Sequence, residues 1–215
     1  MNKSLFAAAG LAAFAMCSAA YADDFQPAHK GTWIVDVRAS GVLPSTSDAI
    51  TTAAGANTGL HVHVTDDYKP TLGFTYFIAD HFAIEAILGT SHHEIRAQGP
   101  GTDILVRDTW VLPPVVTLQY RPAPASRLNP YVGAGVNYML FYSGSNKNGF
   151  KVKTPSGFGY AVQAGADIAI KGPWTLNADV KKVFFETDAK INDGALRSKV
   201  NLDPWVVSVG FGRKF

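Results

Sequence analysis

The chain has 215 residues, a net charge of +2 from 19 Lys+Arg against 17 Asp+Glu, and only 17% charged against 47% hydrophobic side chains. That is one domain's length, too apolar for a disordered chain, and it carries no basic cluster of the kind that meets nucleic acid, so no nucleic-acid partner is expected. Past the N-terminus, no run of about 20 apolar residues offers a membrane helix.

The chain opens on a positive Met1-Asn2-Lys3, an apolar segment from Leu5 to Met16, and Ala20-Tyr21-Ala22, an A-x-A cleavage pattern. Residues 1–22 are therefore expected to be a signal peptide and 23–215 the exported domain. The single cysteine, Cys17, lies in the apolar segment, and Phe14-Ala15-Met16 before it lacks the Leu and the small residue that lipidation sites favour. An exported domain without cysteine draws its stability from a closed hydrogen-bond ladder or a large core, not from disulfides.

From Trp33 onward the dominant period is two, the mark of strands with unlike faces. Trp33, Val35, Val37 and Ala39 alternate with Ile34, Asp36, Arg38 and Ser40. The pattern recurs over 72–78, 82–88, 110–120, 132–140, 160–170, 174–180 and 205–211, giving eight strands and no helical segment of similar strength. Short links fall at Ala79-Asp80-His81, 122–129 and Lys171-Gly172-Pro173, and long ones at 44–65, 98–108, 143–155 and 191–199. Short turns on one rim and long loops on the other are the plan of an outer-membrane barrel. Its neighbours follow chain order, and its first and last strands pair to close it.

Period two alone does not say which face meets lipid, because a soluble eight-stranded barrel alternates in the same way with its apolar face inward. Here the polar faces are rich in Gly, Ser, Asn and scattered ions, which suits a narrow lumen. Aromatics such as Trp33, Phe82, Tyr120, Phe158, Trp174 and Trp205 stand at strand ends, as girdles do at two membrane interfaces. Phe215 ends the chain in phase with Val207, Val209 and Phe211, a signature through which the last strand is expected to meet the barrel-assembly machinery. The fold class expected is all-β, an eight-stranded antiparallel up-and-down transmembrane β-barrel in the outer membrane, in contact with outer-membrane lipid.

The inward residues separate by height. Toward the periplasm lie Asp36, Arg38, Glu85, Gln119, Arg121, Asp167, Asn177, Asp179 and Lys181, with four acids and three bases among them. Toward the outside lie Val42, Ile87, Val111, Met139, Phe141, Val183, Phe185 and Leu202. Buried ions have to pair with one another, and a paired set spanning so narrow a lumen plugs it. An apolar funnel above a polar plug is a poor ion pore but admits small apolar solutes.

Three segments resemble the outer membrane protein W (OmpW) family of eight-stranded barrels: Leu112-Pro113-Pro114 in the fourth strand, Asn129-Pro130-Tyr131-Val132-Gly133-Ala134-Gly135-Val136-Asn137-Tyr138 opening the fifth, and Leu202-Asp203-Pro204-Trp205 opening the eighth. The likeness runs over essentially the whole exported domain. It implies a channel that passes small hydrophobic molecules inward toward the outer membrane. Arg213 departs from the family, which more often has an aromatic there, but near the rim an Arg snorkels. Pro113 and Pro114 donate no ladder hydrogen bond in mid-strand. They are therefore expected either to open the wall as a lateral gate, the reading the resemblance favours, or to bend the strand in a bulge.

Other chemistry is weaker. His61 and His63 share a strand face, and His92-His93 lie elsewhere, but no acid or cysteine accompanies either pair at a metal-binding spacing, so no metal site and no cofactor is expected. Ser91, His92, His93 and Glu94 are the residues an enzyme would use. Since His92 and His93 point to opposite faces, no Ser-His-acid set emerges and no enzyme is expected. The alternative to a channel is a structural or receptor barrel whose extracellular loops bind an external partner.

Overall fold

A computed structural model describes residues 25–215; the expected signal peptide and Cys17 lie outside the described residues. Strand β1 (Trp33–Leu43) is followed by two short strands, β2 (Ala49–Thr52) and β3 (Asn57–Val64), and then by β4 (Asp67–Ala79). Next come β5 (Phe82–Gly89), β6 (Ser91–Gly99), β7 (Thr102–Leu112) and β8 (Val115–Tyr120). The long β9 (Leu128–Asn146) leads through β10 (Val152–Lys153) to β11 (Gly157–Ala169) and β12 (Trp174–Phe184). The chain ends with β13 (Glu186–Ile191), β14 (Leu196–Asn201) and β15 (Trp205–Lys214).

Eight of these strands close a barrel in the order β1-β4-β5-β8-β9-β11-β12-β15, every neighbouring pair antiparallel. The seam is a full ladder from Ile34 against Lys214 to Leu43 against Trp205. Closure removes the sheet edges, which is what lets a β-sheet cross lipid with its backbone satisfied.

Alternation sets the two faces. Outward residues of the barrel include Val37, Leu72, Val116, Leu118, Val132, Val136, Leu176 and Val209, the last 61% exposed. Apolar exposure on this scale has to be covered, and a lipid bilayer covers it. Trp33, Phe82, Tyr120, Trp174, Phe211 and Phe215 are outward near the short-turn end, and Phe158, Tyr160 and Trp205 near the other. Arg213 stays among the lower aromatics, its guanidinium 4.9 Å from the Phe215 ring centre and 5.7 Å from that of Trp174.

The structure departs from the sequence reading in two places. The four long links are not plain loops. They hold β2, β3, β10 and the greater parts of β7 and β14, and together with the adjoining β6, β13 and the upper part of β9 they form an antiparallel sheet in the order β9-β7-β6-β3-β2-β14-β13-β10. This sheet carries the barrel wall outward and packs its own core, with Ile50, Val62, Val64, Val106, Ile191 and Val200 among the buried residues. The expected fourth strand, 110–120, is also two strands, β7 and β8, parted at Pro113-Pro114.

At the short-turn end, residues before β1 fold across the mouth. Ala28 is buried with Ile34, Phe77 and Ala83, and its N–H donates to the Pro124 carbonyl at 3.2 Å. The Lys30 N–H donates to Asp80 Oδ1 at 2.8 Å, and Lys214 Nζ donates to the Gln26 carbonyl at 2.7 Å.

Candidate functional site

The lower lumen holds one connected ionic network, built by inward positions of six barrel strands. Arg38 on β1 makes a two-pronged contact with the Asp36 carboxylate, and its Nη2 reaches Glu85 Oε1 on β5 at 2.6 Å. The other Glu85 oxygen lies 2.9 Å from Lys181 Nζ on β12, which also contacts Asp179 Oδ1 at 2.6 Å. Asp179 accepts from the Tyr131 hydroxyl at 2.9 Å, and Asn177 Nδ2 links that hydroxyl to Asp167 at 3.0 and 2.8 Å. Arg121, just past the end of β8, completes the set, 2.5 Å from Asp167 and 2.6 Å from Gln119 Oε1. Its guanidinium also lies over the Tyr131 ring at 4.3 Å and the Phe77 ring at 5.1 Å.

All these ions are buried, with Arg38, Glu85, Arg121 and Lys181 only 1–2% exposed. Charges taken from water to this degree persist only when each meets its opposite, and here each acid has a cation or hydrogen-bond donor within 3 Å. Gly73 supplies the room: a Cβ there would meet Asp36 Oδ1 at 2.4 Å.

Above the network the lumen becomes an apolar chamber. Val42, Ile87, Val111, Met139, Phe141, Val183 and Leu202 line it, and Phe185 packs into the same apolar cluster. The upper wall belongs to the extracellular sheet, through Ile50, Val62, Val64 and Ile191. Lys181 is the ionic residue at the floor.

One side of the chamber wall is interrupted. Ile87 pairs with Val115 and Ser91 with Val111, so Leu88-Gly89-Thr90 face Leu112-Pro113-Pro114 in continuous register, yet the ladder lapses over those three residues. On the β7–β8 side alternation leaves Pro113, opposite Gly89, as the residue that would donate across the lapse, and it has no N–H. On its other flank the segment is held: the Tyr138 N–H donates to the Pro114 carbonyl at 3.1 Å, and Leu112 pairs with Leu140. Gly89, Thr90 and Pro113 line the chamber at the lapse.

Sequence parity missed two groups. Tyr131 joins the ionic network, and it was reachable by parity because it is in phase with Gly133, Gly135 and Asn137. Ser91, His93 and Thr109 form a polar patch on the chamber wall just above the lapse. Ser91 and His93 are two apart, hence in phase, and His93 Nε2 lies 2.9 Å from Ser91 Oγ. What meets the other ring nitrogen is the Thr65 carbonyl, at 2.6 Å, not a carboxylate. Glu94 turns away to pair with Arg96 at 3.0 Å, and the His92 ring lies tilted against Trp110 with ring centres 4.9 Å apart. His61 and His63 sit on β3 with exposed side chains, and among the described residues no group of three metal-ligating side chains gathers.

Residues 29–215 match the model of the OmpW family. An uncharacterised outer-membrane protein of Sinorhizobium fredii is 37% identical, over 95% of this chain and 93% of its own length. A dibenzothiophene metabolism operon protein of Pseudomonas aeruginosa, PahQ, is 29% identical, over 70% of this chain and 72% of its own. Among solved structures, the outer membrane protein OprG from Pseudomonas aeruginosa superposes with a TM-score of 0.83 at 29% identity, covering 89% of this chain and 99% of that one.

Proposed function

The chain belongs to the OmpW family of outer-membrane proteins, and from that premise we propose that it is a passive channel through which small hydrophobic molecules leave the outside and enter the outer-membrane bilayer. The observation that carries this reading is the position of the wall lapse, which opens off the apolar chamber and above the ionic network. A solute drawn into the chamber by its apolar lining meets a floor of paired ions below, with the Phe77 and Ala28 packing beneath it. The side toward Leu88-Gly89-Thr90 is the place where no ladder has to break for it to leave. In this reading Pro113 and Pro114 are the gate, and the Asp36-Arg38-Glu85-Lys181 network is a plug that denies water-filled passage to ions. Movement runs down the concentration gradient and makes or breaks no covalent bond.

The name of the related dibenzothiophene metabolism operon protein supports an apolar cargo, since dibenzothiophene is an uncharged aromatic. The last strand, ending on Phe215, is the segment we assign to the barrel-assembly machinery, and residues 1–22 to the export signal.

The test is uptake of a small apolar solute by cells with an intact outer membrane, lacking the protein, carrying it, or carrying Pro113→Ala/Pro114→Ala. The protein is expected to raise uptake several-fold, and the alanine pair, which restores the donor at 113 across the lapse and one at 114 toward Tyr138, to remove most of that rise. Equal uptake with and without the protein over a panel of solutes would overturn the channel, and a rise unaffected by the alanine pair would overturn the gate.

A further inference from the structure

The chamber wall is mostly aliphatic, which makes its polar patch beside the lapse conspicuous. Ser91 and His93 come from β6 and Thr109 from β7; His93 and Thr109 are direct cross-strand partners, and Ser91 faces Val111 at the edge of the unpaired segment. All three line the chamber, with Ser91 and Thr109 each 2% exposed.

The hydrogen bonds fix where the hydrogens are. A carbonyl oxygen only accepts, so the 2.6 Å contact between His93 Nδ1 and the Thr65 carbonyl places a hydrogen on Nδ1. Burial pushes the His93 imidazole below its ordinary value, so the ring is neutral at neutral pH and its Nε2 is bare. Ser91 Oγ, 2.9 Å from Nε2, must therefore donate its one hydrogen to the ring. Thr109 Oγ1 likewise donates to the Ser143 carbonyl, at 3.2 Å. Both hydroxyls have spent their hydrogens inside the wall and keep only acceptor lone pairs for whatever occupies the chamber.

We propose that Ser91, held by His93, and Thr109 form a binding site for a hydrogen-bond donor at the threshold of the lateral opening, so that the channel favours apolar molecules carrying one hydroxyl or N–H, such as phenols and alcohols, over ethers of the same shape. The inference rests on the channel reading and deepens it. A donor group in an apolar chamber loses its water and has to find an acceptor, and this patch offers one where the solute turns toward the lipid. An ether oxygen brings a second acceptor against the same lone pairs and gains nothing.

The experiment compares 1-naphthol with 1-methoxynaphthalene, as protein-dependent uptake by intact cells carrying the wild-type chain or Ser91→Ala. For the wild type the naphthol increment is expected to exceed the ether increment by about fivefold, the value of one net hydrogen bond. Ser91→Ala is expected to reduce that ratio toward one by lowering the naphthol increment. If neither compound shows protein-dependent uptake, the channel reading falls and takes this inference with it. If both do, with a ratio near one in the wild type or a ratio unchanged in Ser91→Ala, the inference alone is overturned.

A second readout needs no variant that alters the site. In the purified wild-type protein in lipid nanodiscs, the His93 imidazole nitrogen resonances are expected to move with 1-naphthol and not with 1-methoxynaphthalene. Equal movement with both, or none with either, would overturn it.

Discussion

Glu85 is the joint of the ionic network, since its two carboxylate oxygens are shared between Arg38 at 2.6 Å and Lys181 at 2.9 Å. Glu85→Gln removes the only charge that links those two cations and leaves them buried with less compensation. We expect a loss of about 3–5 kcal/mol in unfolding free energy, the usual cost of breaking a buried ion pair, read from urea titration of the protein folded in lipid vesicles. An unchanged midpoint would mean that water reaches the network. At this scale the sequence was informative about membership and silent about partners. Parity put Asp36, Arg38, Glu85, Asp167, Asp179 and Lys181 on the inner face, but which acid meets which base depends on how far neighbouring strands are staggered, and alternation carries no stagger.

His93 supplies a pH test at the same scale. Its imidazole is pushed down by burial, with His92 adding to the effect and the Thr65 carbonyl, Asp67 and Asp66 opposing it. The unfolded chain then takes up a proton at a higher pH than the folded one. Stability is flat above the ordinary histidine value of 6.5 and is lost as pH falls from there toward the depressed folded value. The denaturation midpoint of the wild type is therefore expected to drop on that acid limb more steeply than that of His93→Gln. Parallel curves would contradict the assignment.

Among the elements, β8 and β9 approach most closely at Gly135. A Cβ there would lie 1.9 Å from the Val116 carbonyl oxygen and 2.6 Å from Thr117 Cα, both backbone atoms that cannot swing aside. Gly135→Ala is expected to force the two strands apart just below the proline segment. The cost is about 1–3 kcal/mol, the range for overpacking, and it is seen as a lower urea midpoint and a smaller folded fraction. A midpoint equal to the wild type's would show that the strands have room to shift.

The eight barrel strands were legible because each is long enough for alternation to stand out. The extracellular strands were not. They are as short as Ala49–Thr52 and Val152–Lys153, and they pair across large sequence distances, as Thr52 does with Leu196. No hairpin signal marks such pairs. Their alternation is also broken by glycines in left-handed backbone, such as Gly55 and Gly59, whose φ values of +85° and +77° belong to turns. The proline segment was legible as an anomaly, while its consequence depended on the other flank. Tyr138 keeps hold of Pro114, and only the β5–β6 side is unpaired.

Taken as a whole, the molecule is a tube with unlike ends. The short-turn end is closed by folded residues before β1 and by the ionic network, and the outer end is extended by a second sheet that lengthens the apolar chamber. The central claim is that solutes pass sideways through the lapse between Leu88-Gly89-Thr90 and Leu112-Pro113-Pro114. Thr90 and Leu112 face each other across its upper edge by continuation of the flanking register, and the sequence has no cysteine after Cys17. Thr90→Cys/Leu112→Cys therefore places a single reversible bridge over the opening without touching the prolines. We would measure uptake of an apolar solute by cells carrying this variant, oxidised and then reduced. The account predicts uptake near the protein-free level when the bridge is closed and wild-type uptake when it is reduced. Wild-type uptake with the disulfide formed would contradict it and send the exit elsewhere.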